Sequence, residues 1–331
     1  MSPPFAPLPR PLNARGQPRL TGVEIELGGL DEAACAAICA RRLGGTPCQI
    51  DEAIWRVDGT RIGTIKVYLD TALRHAGKSA LRDAALALGR EVVPVEIVTE
   101  PLDRKGLVAL DGLRDALRRE GALGSGGGLF FGFGVHLNVE IASADADGVV
   151  RPLLAYALIE DWLRAANPID HTRRLLPFAA PYPTRLVQRL VVLGPGGDLR
   201  HVIDAYAQEA PSRNFGLDML PVFAHLDAPR IAPVLGAATS ARPAFHFRLP
   251  DCRIDEPGWR LDHEWRRWRT VERVAADAGT LAELAREWTD LHAGLTRSRT
   301  RWARRCGAIL RARGLDDAGG VAGPRRGDAA R

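Results

Sequence analysis

The sequence predicts an α+β protein, with strands and helices sharing one domain around a mainly antiparallel sheet. Three observations carry this. Short β-branched runs alternate with amphipathic stretches between residues 20 and 141. Each run splits into an apolar and a polar set on alternating residues, as in a sheet that packs one face on a core. The 331 residues, 46% of them hydrophobic, are enough to bury a large core.

Residues 1–18 hold six prolines and no apolar periodicity, which predicts a disordered arm. The main domain is expected over 19–258. Its first strand is placed at Leu20–Leu27. A helix over Asp31–Leu43 follows, with apolar residues at three-and-four spacing, acidic residues early and arginines late. Further strands are expected at Ala53–Val57, Gly63–Leu69, Val92–Thr99 and Gly134–Ile141, with a second amphipathic helix over Leu107–Glu120. Pro152–Ala166 reads as an apolar helix ended by Asn167-Pro168. Strands are then expected at Leu186–Leu193 and at 242–249. From Trp259 the chain turns helical and basic. Residues 260–331 hold 16 Arg against 10 acidic residues, a local net charge of +6. The helical part, 259–313, is expected to pack on the same domain, and 314–331 to be a disordered tail.

Lys and Arg number 45 against 40 Asp and Glu, and a net charge of +5 does not argue for a nucleic-acid partner. No apolar run approaches the roughly 20 residues of a membrane-spanning helix. Residues 1–20 lack the apolar stretch of a secretory signal, so a cytoplasmic protein without a membrane partner is expected. Cys35, Cys39, Cys48, Cys252 and Cys306 are odd in number and scattered, which predicts reduced thiols.

Sorting each strand by face is informative. Val23, Ile25 and Leu27 oppose Glu24 and Glu26; Val93, Val95 and Ile97 oppose Glu96 and, if the strand runs on, Glu100. Val135, Leu137 and Val139 face away from His136, Asn138 and Glu140. Phe245 and Phe247 oppose His246 and Arg248, and Val67 and Leu69 oppose Lys66, Tyr68 and Asp70. A solvated outer sheet face produces such alternation without any function. A generic outer face, however, mixes Lys, Thr, Arg and Glu, whereas these strands concentrate carboxylates, a His and an Asn. Carboxylates two apart on one face stand about 7 Å from each other, close enough to hold neighbouring Mg²⁺ ions and repulsive without cations. With a His and an Arg on the same face, they suggest a metal-and-phosphate site.

Three segments together resemble the amidoligase family, ATP-dependent carboxylate–amine ligases related to glutamine synthetase and glutamate–cysteine ligase. They are Gly22-Val23-Glu24-Ile25-Glu26, the acidic run from Val93 to Leu102, and Gly132-Phe133-Gly134-Val135-His136-Leu137-Asn138-Val139, in order over roughly residues 20–260. The resemblance implies a curved, mainly antiparallel sheet of the glutamine-synthetase type, its concave face binding ATP and Mg²⁺ and its helices on the convex side. It makes Glu24, Glu26 and Glu96 metal ligands, and His136 a phosphate or metal contact beside Asn138. Arg248 resembles the arginine that closes such sites over the γ-phosphate or substrate carboxylate. Tyr68 departs from the pattern, standing where a glutamate is usual, while Asp70 remains. The family's association with glutamine amidotransferase-like proteins suggests a partner that supplies ammonia or trims the product.

In the implied chemistry a substrate carboxylate attacks the γ-phosphate of ATP and an amine then displaces phosphate from the acyl phosphate. By position, Glu100 or Asp70 would accept the amine proton. Arg213 and Asn214, in Ser212–Asp218, are candidates for contacting the substrate carboxylate, although a capped turn explains that segment equally well. Three rivals remain open: an impaired nucleotide-binding or regulatory protein, motivated by Tyr68; a metal-dependent hydrolase; and a nucleic-acid module acting through the arginine-rich helices.

Other signals are weaker. Gly77-Lys78-Ser79 lacks the earlier glycine of a P-loop, and the glycine run at 124–128 precedes a strand rather than a helix. His263-Glu264 begins a zinc-protease pattern, but Arg267 stands where the second His is needed. In the C-terminal helices Trp265, Trp268 and Trp302 are expected to pack inward while the arginines stay solvated.

Overall fold

The computed structural model describes residues 4–69, 93–125, 132–170, 180–236, 239–293 and 298–317. Asp70, Gly77-Lys78-Ser79, most of the 124–128 glycine run and residues 318–331 lie outside these.

Among the described residues, the strands are β1 (Thr21–Leu27), β2 (Thr46–Asp51), β3 (Ile54–Thr60), β4 (Gly63–Leu69), β5 (Val95–Thr99), β6 (Val135–Glu140), β7 (Leu217–Asp218) and β8 (Ala244–Phe247). They form one open sheet in the order β2-β3-β4-β5-β1-β6-β8-β7, and every neighbouring pair is antiparallel. The helices are α1 (Glu32–Leu43), α2 (Arg104–Arg119), α3 (Arg151–Ala166), α4 (Thr184–Leu193), α5 (Leu199–Glu209), α6 (Leu220–Leu226), α7 (Ala228–Ile231), α8 (Leu261–Ala276), α9 (Ala278–His292) and α10 (Arg299–Ala312). The α+β class with an antiparallel sheet is therefore as expected. No helix among the described residues is long and apolar enough to cross a membrane.

Local chemistry explains the main elements. Asp31 caps α1 by accepting from Ala34 N, and Asp103 caps α2 by accepting from Gly106 N. On the sheet's apolar face Val23, Ile25, Leu27, Val67, Ile97, Val135, Leu137 and Phe247 are all buried. Helices cover this face. Trp268 of α8 lies 4.9 Å from the Phe245 ring and 5.6 Å from Phe247, and Tyr156 of α3 meets Phe247 edge-on at 6.1 Å. Trp302 of α10 donates to Leu158 O of α3 at 2.7 Å. The inward tryptophans expected from the sequence are buried as anticipated.

Three expectations are corrected, and one strand lies where none is expected. Residues 186–193 belong to helix α4 rather than a strand. A short run rich in Leu and Val, broken only by Gln188-Arg189, fits either period, and burial of Leu186, Val187 and Leu190 on one side, with Val192 81% exposed, selects the helical one. Strand β2 is not expected from the sequence, because all six of its residues are exposed and it shows no alternation. The arm is not disordered over its described part: Phe5, Ala6 and Leu8 are buried in the core, and Trp265 Nε1 donates to Ala6 O at 2.8 Å. The Pro-rich stretch lacks periodicity because it runs through turns and bends rather than a regular element, and it still packs. Residues 314–317 are not disordered, since Leu315 is buried and Asp317 pairs with Arg269 and Arg273.

Candidate functional site

Sheet register gathers the polar residues. Glu26 stands opposite Glu96, which stands opposite Tyr68; Glu24 stands opposite His136; Asn138 stands opposite His246, which stands opposite Asp218. Directly opposed residues share a face, so one polar surface runs across β4, β5, β1, β6, β8 and β7. It is not a solvated outer face. His136, Asn138 and His246 are 4%, 9% and 3% exposed and Asp218 is fully buried, and the Glu24 and Glu26 side chains are 13% and 14% exposed. Burying ionisable groups is costly unless they are paired, so this face carries charge where folding alone favours apolar residues.

Glu24 is the hub. Its carboxylate accepts from His136 Nδ1 and from Asn138 Nδ2, both at 2.7 Å. It also lies 3.7 Å from His246 Nε2 and 3.8 Å from an Arg242 amino group. Glu26 accepts from Gly134 N at 2.6 Å and lies 3.5 Å from His136 Nε2. At the far end Asp218 accepts from Arg213 Nε at 2.9 Å and from Leu220 N at 3.0 Å, and is 3.1 Å from His246 Nδ1. Arg248, one residue past β8, donates to Arg213 O at 2.7 Å.

Of the residues singled out from sequence, Glu24, Glu26, Glu96, His136, Asn138, Arg213 and Arg248 are thus brought onto or beside one surface. Glu100 is not brought to the hub. It is exposed beyond the end of β5 and accepts from Thr64 N at 3.1 Å. Asp70 lies outside the described residues. Sequence reasoning leaves His246, Asp218 and Arg242 out of the site. His246 is legible from its alternation with Phe245 and Phe247. Asp218 is not, because β7 has two residues and shows no pattern.

The electrostatics follow from burial and pairing. Burial would raise the Glu24 carboxyl, but the hydrogen bond from His136 and the nearby imidazole of His246 hold it well below the usual carboxylate range. Asp218 is likewise held low by His246 and Arg213 against burial. Burial pushes the His136 imidazole down, against the pull of Glu26 and Glu24, and Arg248 lowers it further. His263, at the start of α8, is pushed down to about 4, chiefly by burial. A histidine depressed on folding contributes stability above its unfolded value, near 6.5. That contribution is lost as pH falls toward the folded value, because the unfolded chain binds the proton first. Depressed carboxylates contribute above the ordinary carboxylate range and lose it at still lower pH. Denaturant midpoints measured against pH should therefore decline from about pH 6.5 downward, and His263→Gln should flatten the decline between there and about 4. A wild-type midpoint that stays level over this interval contradicts the assignment.

Fold and site together define an α+β domain with carboxylates, imidazoles and arginines gathered on one buried sheet face. The model of a family described as "Putative amidoligase enzyme" matches residues 17–270, and the chain belongs to this amidoligase family. The matched span contains every element of the sheet. No curated protein matches the sequence. Family membership supports amide-bond ligation as the class of activity.

Proposed function

We propose that this protein is an ATP- and Mg²⁺-dependent ligase that joins a small-molecule or peptide carboxylate to an amine through an acyl phosphate. The observation that supports this most is the buried polar face itself, because charged groups concentrated on a sheet face inside a family of amide-bond ligases suit a substrate rich in phosphate. In this reading the sheet is curved in the glutamine-synthetase manner, with the polar face concave.

The residues fit a divalent cation. Glu24, Glu26 and Glu96 share one surface, and the buried His136 Nε2, His246 Nε2 and Asn138 Oδ1 find no hydrogen-bond partner among the described residues. Glu24, Glu26 and Glu96 would hold Mg²⁺, which supplies neutralisation of phosphate charge when bound. Arg248 and Arg213 orient the γ-phosphate and the substrate carboxylate. The carboxylate oxygen bonds to the γ-phosphorus as the bond to ADP breaks. The amine nitrogen then bonds to the acyl carbon, phosphate leaves, and Asp70 or Glu100 takes the amine proton. Glu100 does so only after releasing Thr64. A glutamine amidotransferase-like protein is proposed as the partner that supplies ammonia or trims the product.

Tyr68 motivates a second reading. It occupies the position beside Glu96 where a further carboxylate would complete the row, and a protein short of that ligand would bind nucleotide without consuming it. The test common to both is the melting temperature with ATP, with Mg²⁺ and with both. Saturation at about 100 times Kd adds about 2.7 kcal/mol of stability. A rise that requires both ligands, with phosphate release on addition of acid and amine mixtures, is expected. A rise without phosphate release favours the second reading, and no rise at saturating ligand overturns both.

A further inference from the structure

A cleft of about 290 Å³ lies apart from the Glu24 cluster and shares no residue with it. Its volume is close to the lower end for small-molecule sites. The lining brings together Arg10 of the arm, Arg19 just before β1 and Arg151 at the start of α3, with Asp147 and Glu272 as the carboxylates. Arg19 is already engaged. It bonds to Glu272 through both amino groups and to Glu140 O through Nε, and its side chain is 3% exposed. It also donates to Arg10 O at 2.9 Å, which fixes the arm's backbone at the cleft. The other two guanidinium groups keep most of their five donors. Among the described residues, Arg10 donates only through Nη2, to Ser143 Oγ at 3.0 Å, and Arg151 meets Asp147 Oδ1 through Nε at 2.7 Å with both amino groups left over. Three cations against two carboxylates leave the lining with one positive charge in excess. Short apolar groups complete it, Pro9, Ala142, Pro152, Ala275 and Ala276 among them.

We propose that this cleft binds a small organic carboxylate, held by the guanidinium groups of Arg10 and Arg151, with its short apolar body against the prolines and alanines. The planar fork of a guanidinium matches the two oxygens of a carboxylate. A single negative charge cancels the excess of the lining, whereas a doubly charged phosphate overshoots it and meets Asp147 with like charge. Pro9 and Arg10 belong to the arm, Arg151 and Pro152 to α3, and Ala275 and Ala276 to α8. The bound carboxylate therefore bridges these three parts and fastens the arm to the helices. This site stands independently of the ligase reading, because it uses neither nucleotide nor metal.

The test is the melting temperature of the full-length chain, without nucleotide or metal, titrated with acetate, propionate and benzoate. Inorganic phosphate, propionamide and sodium chloride serve as controls at matched ionic strength. A saturable rise with at least one carboxylate, and none with propionamide, is expected. Arg10→Gln with Arg151→Gln should raise that Kd at least about 10-fold, and Asp147→Asn should lower it about 2- to 5-fold by removing the opposing charge. Hydrogen exchange in the arm should slow when the carboxylate is bound. Glu24→Gln with Glu26→Gln should leave the Kd unchanged. No saturable rise with any of the three carboxylates, equal binding of propionamide, tighter binding of phosphate, or a Kd unchanged in the double arginine variant overturns the proposal. Loss of binding in the double glutamate variant places the carboxylate on the polar face and overturns it as well. If the arginine variant fails to fold, Asp147→Asn decides, since tighter binding on loss of that charge is specific to this cleft. Absence of the rise that requires ATP and Mg²⁺ together would overturn the ligase reading and leave this site standing.

Discussion

The Glu24→Gln, Glu26→Gln variant should lose the rise in melting temperature that requires ATP and Mg²⁺ together, and any ligase turnover should fall at least about 100-fold, while the fold persists. Glu24 is the acceptor around which His136, Asn138, His246 and Arg242 are arranged. Removing its charge removes the reason for a cation to enter. The hydrogen bonds themselves can survive. The Gln oxygen still accepts from His136 Nδ1, and its amino group can donate to Asn138 once that amide turns over and presents the Oδ1 atom that now lacks a donor. Gln at position 26 keeps an acceptor for Gly134 N, and repulsion between Glu26 and the opposing Glu96 is relieved. The apo variant is accordingly expected to melt at or slightly above the wild-type temperature. Circular dichroism and thermal melts with each ligand combination check this. Retention of the ligand-dependent rise would remove these carboxylates from the site, and an unfolded variant would make them structural.

Glu272→Ala should destabilise the protein by about 3–5 kcal/mol, the usual cost of breaking a buried ion pair from one side. Glu272 on α8 accepts two bonds from Arg19, at 2.8 and 2.7 Å, and a third from Trp268 Nε1 at 2.9 Å. The two side chains are 3% and 6% exposed. Without Glu272 the guanidinium keeps only its bonds to the carbonyls of Glu140 and Arg10, and the indole N–H loses its acceptor. The pair ties the entry of β1 to a helix more than 250 residues later, so its loss loosens the closure of the whole domain rather than one helix. Arg19→Met with Glu272→Met should recover most of the loss, since the charge left uncompensated, rather than the missing attraction, dominates the penalty. Urea denaturation of the two single variants and the pair measures this directly. A double variant no better than Glu272→Ala would show instead that the pair's geometry is itself stabilising.

Much of the candidate site is legible in the amino-acid sequence. Glu24, Glu26, Glu96, His136 and Asn138 announce a shared face because side chains on a strand alternate with a period of two, and that period is a local property of the backbone. The helices at Glu32–Leu43 and Arg151–Ala166 are equally legible from apolar spacing and their end signals. Which strands stand side by side is not legible. His246 and Asp218 come to Glu24 because β8 lies next to β6 and β7 next to β8, across more than 100 residues of intervening chain.

Two corrected elements share one origin. The run at 186–193 fits a strand or a helix equally well until its neighbours bury one side of it. The Pro-rich arm has no period to reveal that Phe5 and Leu8 find a hydrophobic seat beside α8. Sequence determined the class of most elements, the polarity of the central strand faces and the carboxylates of the candidate site, all set by neighbours along the chain. The tertiary structure alone decided strand order, the docking of the arm, the Arg19–Glu272 closure and the meeting of two histidines over one carboxylate, because these depend on contacts between residues distant in sequence, which the local pattern leaves undetermined.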